Sequence, residues 1–402
     1  MKITKIETIR IEERPNLLWI QVYTDEGLVG LGETFFGAKA VEAYIHETLV
    51  PIVIGRNPLE IDRLSADLVG YLGFRSTGVE VRGNSAFDIA LWDLFGKVTN
   101  QPIAQLLGGF TRQDIRTYNT CAGTEYIKKA TGQNTKNYNI KSIKHNDYDD
   151  LNAFMNNADE LAISLLEEGI TGMKIWPFDV VAEKTRGQYI SPADMKAGLE
   201  PIEKIRKAVG DKMDIMIEFH LMWQLLPAIE IARALKPYNT FWHEDPIKMD
   251  SLSSLKRYAE ASTAPIAASE TLGSRFAFRD LIETGAAGIF NLDISWCGGL
   301  SEAQKIASMA ETWHLPIAPH DCTGPVVLCA STHLSLNAPN ALVQESVRAF
   351  YNTWYRDLVT NLPIVKNGRI TVPEGAGLGM ELNPDLDKAF TTFRKTSDAK
   401  SI

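Results

Sequence analysis

Residues 213–224 read MDIMIEFHLMWQ. Ile215, Met216, Ile217 and Phe219 make the apolar run of a short strand buried on both faces. Glu218 and His220 interrupt it two residues apart, where burying a charge is expensive. A carboxylate and an imidazole closing a core strand point to chemistry at that end.

The pattern repeats along the chain. Eight short apolar runs, IRTYNTC, GMKIW, DIMIEF, TFWHE, PIAAS, GIFNLD, LPIAP and ALVQE, alternate with amphipathic stretches such as ADMKAGLEPIEKIRKAV and SEAQKIASMAETW. A parallel strand return requires a crossover, so strand–helix alternation predicts parallel pairing. Eight such strands suggest a (β/α) barrel, and the lack of GxGxxG after the first lowers the doubly wound alternative. Glu218, Glu244, Glu270, Asp293, His320 and Glu345 each fall at or near the C-terminal end of a run, one every 23–27 residues. In a barrel these ends meet around one mouth, the face where barrel enzymes keep their chemistry.

The start of the chain differs. KITKIETIRIE and LLWIQVYTDEGLVGLGE alternate apolar and polar residues around the turn signal Asp25-Glu26-Gly27, which is hairpin language. Helical patterns follow over 38–53, 59–72 and 79–98. The expected layout is an α+β capping domain (1–113), a barrel (114–347) and a C-terminal segment (348–402) packing back on the cap. The polar segment 125–150 is expected to be a long loop on the barrel mouth, its charges mostly solvated.

With 402 residues and 45% hydrophobic content, the chain can bury a large core. Its formal charge of −9 gives no global reason to bind nucleic acid. Four cysteines without a CxxC pair suggest a reducing compartment. No apolar run reaches the length of a membrane span, and residues 1–16 lack a signal-peptide core, so a cytoplasmic protein without membrane partners is expected. A barrel with an attached cap is expected to self-associate as a homo-oligomer.

Three glutamates on adjacent strands, Glu218, Glu244 and Glu270, would repel one another unless a cation sat among them. Carboxylate oxygens are hard donors and favour Mg²⁺; zinc would want a nitrogen or sulfur ligand, which His220 could supply. Residues i and i+2 of a strand share a face, so His220 should point into the mouth above Glu218. Asp293 and His320, from consecutive strands, can pair so that the carboxylate fixes one imidazole nitrogen and makes the other a better base. Lys174, in GMKIWPF, is expected across the mouth from the acids, and Trp176 beside it could wall a pocket or simply pack. His243 should face the helix layer. The remaining histidines carry no such signal.

These residues are arranged as in the enolase superfamily, and the chain resembles its mandelate racemase branch over nearly its full length. SAFDIALWDLFGKVTNQPIAQLLGG, HEDP, ASE, LDISWCGGLSEAQKIA and APHDCTGPV carry the likeness in order and spacing. The resemblance implies a (β/α)7β barrel under an α+β cap completed by the C-terminal tail. It implies Glu218, Glu244 and Glu270 as ligands of one Mg²⁺, His320 with Asp293 as the base, and Glu345 as a partner of the substrate carboxylate. Many members carry Lys-x-Lys on the second barrel strand, but here the second position is Trp176. That removes one obvious base for a two-base racemase and leaves Lys174 to hold the carboxylate. The first ligand is more often Asp in this family than Glu. A histidine two residues past it resembles the sugar-acid dehydratases, such as galactonate dehydratase, where it protonates the departing hydroxyl. The implied substrate is an aldonic or aldaric acid, losing its alpha proton to His320 and its 3-hydroxyl with a proton from His220. A racemase, epimerase or cycloisomerase is the alternative, and a silent sugar-acid-binding barrel a further one. Specificity is expected from the cap segments EERPNLLW, ETFFG and YLGFRSTG, with Arg75 a candidate for a distal carboxylate.

Overall fold

The computed structural model describes residues 1–70, 78–132, 134–139 and 148–401. Strands β1 (Ile3–Ile11), β2 (Leu17–Thr24) and β3 (Val29–Phe35) form an antiparallel meander, turning at Asp25-Glu26-Gly27 with Gly27 at φ +81°. The long helix Val79–Thr99 lies on one face. Two glycines make this approach possible. A Cβ on Gly32 would lie 1.9 Å from the Ala86 carbonyl oxygen, and one on Gly30 2.2 Å from that of Ala90. The GLVGLGE spacing is thus a sheet surface shaved to admit a helix backbone.

The second sheet is the barrel. Strands β4 (Ile115–Thr120), β5 (Gly172–Ile175), β6 (Asp214–Glu218), β7 (Trp242–Glu244) and β8 (Ile266–Ala267) pair in parallel and in order. Single parallel bridges then carry the path through Ile289, Phe290, Ile317 and Ala341. Strand β9 (Gln344–Ser346) pairs back onto β4. The eight apolar runs of the sequence occupy these eight positions, the later ones as bridges rather than full ladders. Tyr118, Met216, Trp242, Ala267, Ile289, Ala318 and Val343, each from a different barrel position, form the inner plug. Tyr118 and Trp242 meet edge-on at 5.2 Å. The chemistry sits above this layer.

The C-terminal segment divides its contacts. The hairpin of β10 (Ile364–Lys366) and β11 (Arg369–Thr371) pairs antiparallel with β4, while β12 (Thr392–Asp398) adds to β1 in the cap sheet. The tail therefore serves both sheets. No helix among the described residues is long and apolar enough to cross a membrane.

Buried carboxylates of the cap hold the barrel by its backbone. Asp88 accepts the Ser301 amide at 3.0 Å, and Glu33 accepts that of Val327 at 2.9 Å. Thr34 donates to the Ser295 carbonyl at 3.1 Å. Burial pushes Glu33 up to about 8 and Asp88 to about 7, against the hydrogen bonds each receives. These contacts fall on the helices that follow Asp293 and His320, so the cap is anchored beside the mouth.

Candidate active site

Three strand ends bring Glu218, Glu244 and Glu270 together, with one carboxylate oxygen from each inside a 4.8 Å group. Glu218 closes β6, and its Oε1 accepts the amides of Phe219 (3.0 Å) and His220 (2.7 Å). Its Oε2 is buried and makes no hydrogen bond among the described residues, with only the Lys174 ammonium 3.5 Å away. Burial and the neighbouring Glu218 charge push Glu244 up to about 7, although Lys174 opposes them. Crowded carboxylates with a spare buried oxygen suit a divalent cation with oxygen ligands. The triad could hold a metal ion. Among the described residues His220 is not part of this group, which therefore lacks the nitrogen ligand that a zinc site would want.

Lys174 is placed differently from expectation. Strand β5 runs beside β6, so the lysine reaches into the acid cluster instead of facing it across the mouth. Its Nζ lies 2.7 Å from Glu244, 2.9 Å from Glu345 and 3.5 Å from Glu218. Burial would discharge it, but these carboxylates hold its pKa well above the ordinary value. Glu345 is turned inward too. It takes hydrogen bonds from Thr120 and from the Asp321 amide as well as the lysine, and it does not line the pocket.

Asp293 and His320 pair at 2.7 Å between Oδ2 and Nδ1. Ser295 fixes the other Asp293 oxygen through both its amide and its hydroxyl, at 2.7 Å each. The Trp296 indole lies over the imidazole at 5.5 Å. His320 Nε2 contacts Glu270 at 2.9 Å. Against the downward push of burial, Glu270, Glu345 and Asp293 hold the imidazole pKa well above its usual value. In return, His320 keeps Glu270 near 2 although burial would raise it. Glu270 thus belongs to both the triad and the histidine.

His220 reaches the mouth by a different route from the one alternation suggests. The strand ends at Glu218, and His220 and Leu221 sit at φ +47° and +60°. This left-handed turn swings the imidazole over the pocket. Its Nδ1 lies 2.6 Å from Asp179 Oδ2, which also accepts the Tyr138 hydroxyl at 2.8 Å. Burial would lower the His220 pKa, but Asp179 and Glu218 push it up to about 9. Trp176, just past β5, packs edge-on against His220 at 5.6 Å and against Phe154 at 5.2 Å. It both packs and lines the pocket.

The pocket is a small cavity of about 30 Å³. Lys174, His220, Glu270 and His320 face it from the barrel, and Phe35 and Phe36 of ETFFG come from the cap. Tyr126 and Ile127 add a wall that the polar look of 125–150 concealed. Arg14, in EERPNLLW, pins that wall by donating to the carbonyls of Thr124 (2.7 Å) and Tyr126 (3.1 Å). Arg75 and most of YLGFRSTG lie outside the described residues. His243 faces the helix layer, 2.8 Å from the Tyr258 hydroxyl, and burial depresses it to about 3.

Sequence reasoning missed Asp179 and Tyr138. Neither occupies a strand-end phase, and the WPFD stretch carrying Asp179 offers no periodic signal.

A barrel whose strand ends carry a carboxylate triad, under an α+β cap, defines a class. Residues 157–386 match the model described as enolase C-terminal domain-like. Residues 7–108 match the mandelate racemase / muconate lactonizing enzyme N-terminal domain. The chain belongs to this family of the enolase superfamily.

Individual relatives are more specific. A D-galactonate dehydratase from Ralstonia nicotianae is 30% identical over 404 residues, covering 99% of this chain and 95% of its own. A D-xylonate dehydratase from Haloferax volcanii is 28% identical over 393 residues, covering 96% and 88%. The crystal structure of an enolase of the mandelate racemase subgroup from Agrobacterium tumefaciens is 71% identical, with a TM-score of 0.89 over the whole of both chains.

Proposed function

We propose that this chain is a Mg²⁺-dependent hydro-lyase that dehydrates a sugar acid to a 2-keto-3-deoxy acid. One observation carries the reading. Two imidazoles from separate barrel positions line one pocket, each with its Nδ1 held by an aspartate. That arrangement suits one base and one acid acting on a single substrate. The named activities of the D-galactonate and D-xylonate dehydratases support the choice of substrate class.

Glu218, Glu244 and Glu270 would hold the cation. Its chemistry there is Lewis-acid stabilisation of the negative charge that develops on the substrate carboxylate. Lys174 adds fixed positive charge beside it, and burial makes that charge count for more than it would in water. Glu345 holds the ammonium in place. With Glu270 committed to the triad, His320 loses its Nε2 partner and starts neutral, still oriented by Asp293. It takes the alpha proton. His220, charged at the outset through Asp179, gives its proton to the departing 3-hydroxyl. Phe35, Phe36, Tyr126 and Trp296 exclude water from the reacting atoms.

The test is a semicarbazide screen for 2-keto acids, run with Mg²⁺ against aldonic and aldaric acids beside the His320→Asn variant. Turnover in the wild type and its loss in the variant are expected. Deuterium uptake at the alpha carbon without keto acid would instead mean an epimerase, with the two imidazoles as opposed bases.

A further inference from the structure

Asp179 is 1% exposed, and the ion pair the described residues give it is with His220. Its Oδ2 receives both the His220 Nδ1–H and the Tyr138 hydroxyl, at 2.6 and 2.8 Å. Its Oδ1 is buried with no donor among the described residues. A carboxylate this enclosed is costly unless a full positive charge sits against it. The side chain placed against it is the His220 imidazole. The same contact fixes the ring by its Nδ1.

The partner hydroxyl comes from outside the barrel frame. Tyr138 closes the short 3₁₀ turn Thr135–Tyr138, whose first residue is tied by its amide to Glu183 at 3.2 Å. Its ring packs on Tyr126 at 5.2 Å, the residue whose carbonyl Arg14 of the cap holds. Cap, mouth loop and acid thus form one connected chain of contacts.

We propose that Asp179 is the positioning residue of the dehydration acid, and that Tyr138 seats it from the mouth loop. The inference rests on the hydro-lyase reading above. His220 Nε2–H protonates the 3-hydroxyl as the C3–O bond breaks, and the bonding pair leaves with water. The pair released at C2 becomes the C2=C3 bond. The imidazole ends neutral, its Nδ1–H still donated to Asp179, and regains a proton from solvent. Abstraction of the alpha proton by His320 needs none of these groups.

That separation supplies the experiment. In D₂O with Mg²⁺ and the sugar acid found by the screen, proton NMR follows loss of the C2–H signal, and semicarbazide follows keto acid. Asp179→Asn should lower keto-acid formation by about 10²-fold while C2–H loss stays within about threefold. Tyr138→Phe removes one hydroxyl and should show the same asymmetry at about fivefold, which covers the case where Asp179→Asn folds poorly. Equal losses in both readouts, or no loss in either, would overturn the proposal. Without substrate, ¹⁵N-histidine spectra of the wild type should show a hydrogen-bonded Nδ1–H at His220 that Asp179→Ala removes; an unchanged signal would also overturn it. A wild type that makes no keto acid from any sugar acid would instead overturn the functional reading, while the ¹⁵N signal would still report the contact.

Discussion

Among the described residues two histidine–aspartate pairs stand beside the same triad, and they are built differently. His320 and Asp293 come from consecutive barrel positions, and Asp293 is locked by Ser295 on the residues that follow it. The frame holds this pair. His220 stands on a left-handed turn, and its aspartate begins the short helix Asp179–Thr185 beneath a mouth loop. That pair takes one further hydrogen bond, from Tyr138 of the loop. The base is thus held by the barrel frame alone, and the acid by the frame together with a loop residue.

The comparison breaks most severely at the first pair. His320→Asn should abolish keto-acid formation and deuterium uptake alike, by on the order of 10⁴-fold, because on the proposed reading this imidazole alone takes the alpha proton. Next comes His220→Asn, with dehydration down by roughly 10²–10³-fold and C2–H loss in D₂O nearly retained. If both variants lost exchange equally, the two imidazoles would not have separate tasks.

The sequence made one pair legible and hid the other. Asp293 and His320 share a strand-end phase with the glutamates, and a barrel converts equal phase into proximity. Asp179 has no such phase. It meets His220 because β5 and β6 are neighbours and because the chain reverses hand at residue 220, and a positive φ at a histidine leaves no mark in residue order. The eight runs located the barrel. They did not show that later strands would shrink to single bridges, since that depends on how the loops above them are held. Lys174 was visible as an odd charge in an apolar strand, but its side of the mouth follows from strand adjacency, which a list of runs does not contain. Tyr126 and Ile127 were masked by their polar neighbours, since wall residues of a loop need no periodicity.

A cation should act on the two pairs unequally. Glu270 touches His320 at 2.9 Å, whereas His220 is held up first by Asp179, outside the triad, and only then by Glu218 within it. Saturating Mg²⁺ should therefore pull the His320 titration down markedly, as Glu270 turns to the triad, and move His220 less. Histidine NMR with and without Mg²⁺ reads this directly. At a hundredfold excess over its dissociation constant, the ion should also stabilise the fold by about 2.7 kcal/mol. Glu244→Gln should remove most of that gain and the unequal titration together. A Tm rise that survives in the variant would place the cation elsewhere.

The smallest effect probes what lies behind the first pair. Glu33 of the cap is fully buried near Asp293 and is pushed up to about 8 by desolvation, against hydrogen bonds from Trp19 and the Val326 and Val327 amides. Its unfolded value is near 4.5. Between those two pH values the folded chain keeps a proton that the unfolded chain has lost. Raising the pH through this window therefore removes stability, and below it Glu33 contributes no pH dependence. Glu33→Gln stays neutral throughout, so its unfolding free energy should fall less from pH 5 to pH 8 than that of the wild type, by about 1–3 kcal/mol. Asp179 has no counterpart of this cap carboxylate among its hydrogen-bond and ion-pair partners. The substitution should thus leave dehydration relative to exchange unchanged while altering the pH profile of both through Asp293. A shift in that ratio would mean that the cap acts on the acid as well as on the base.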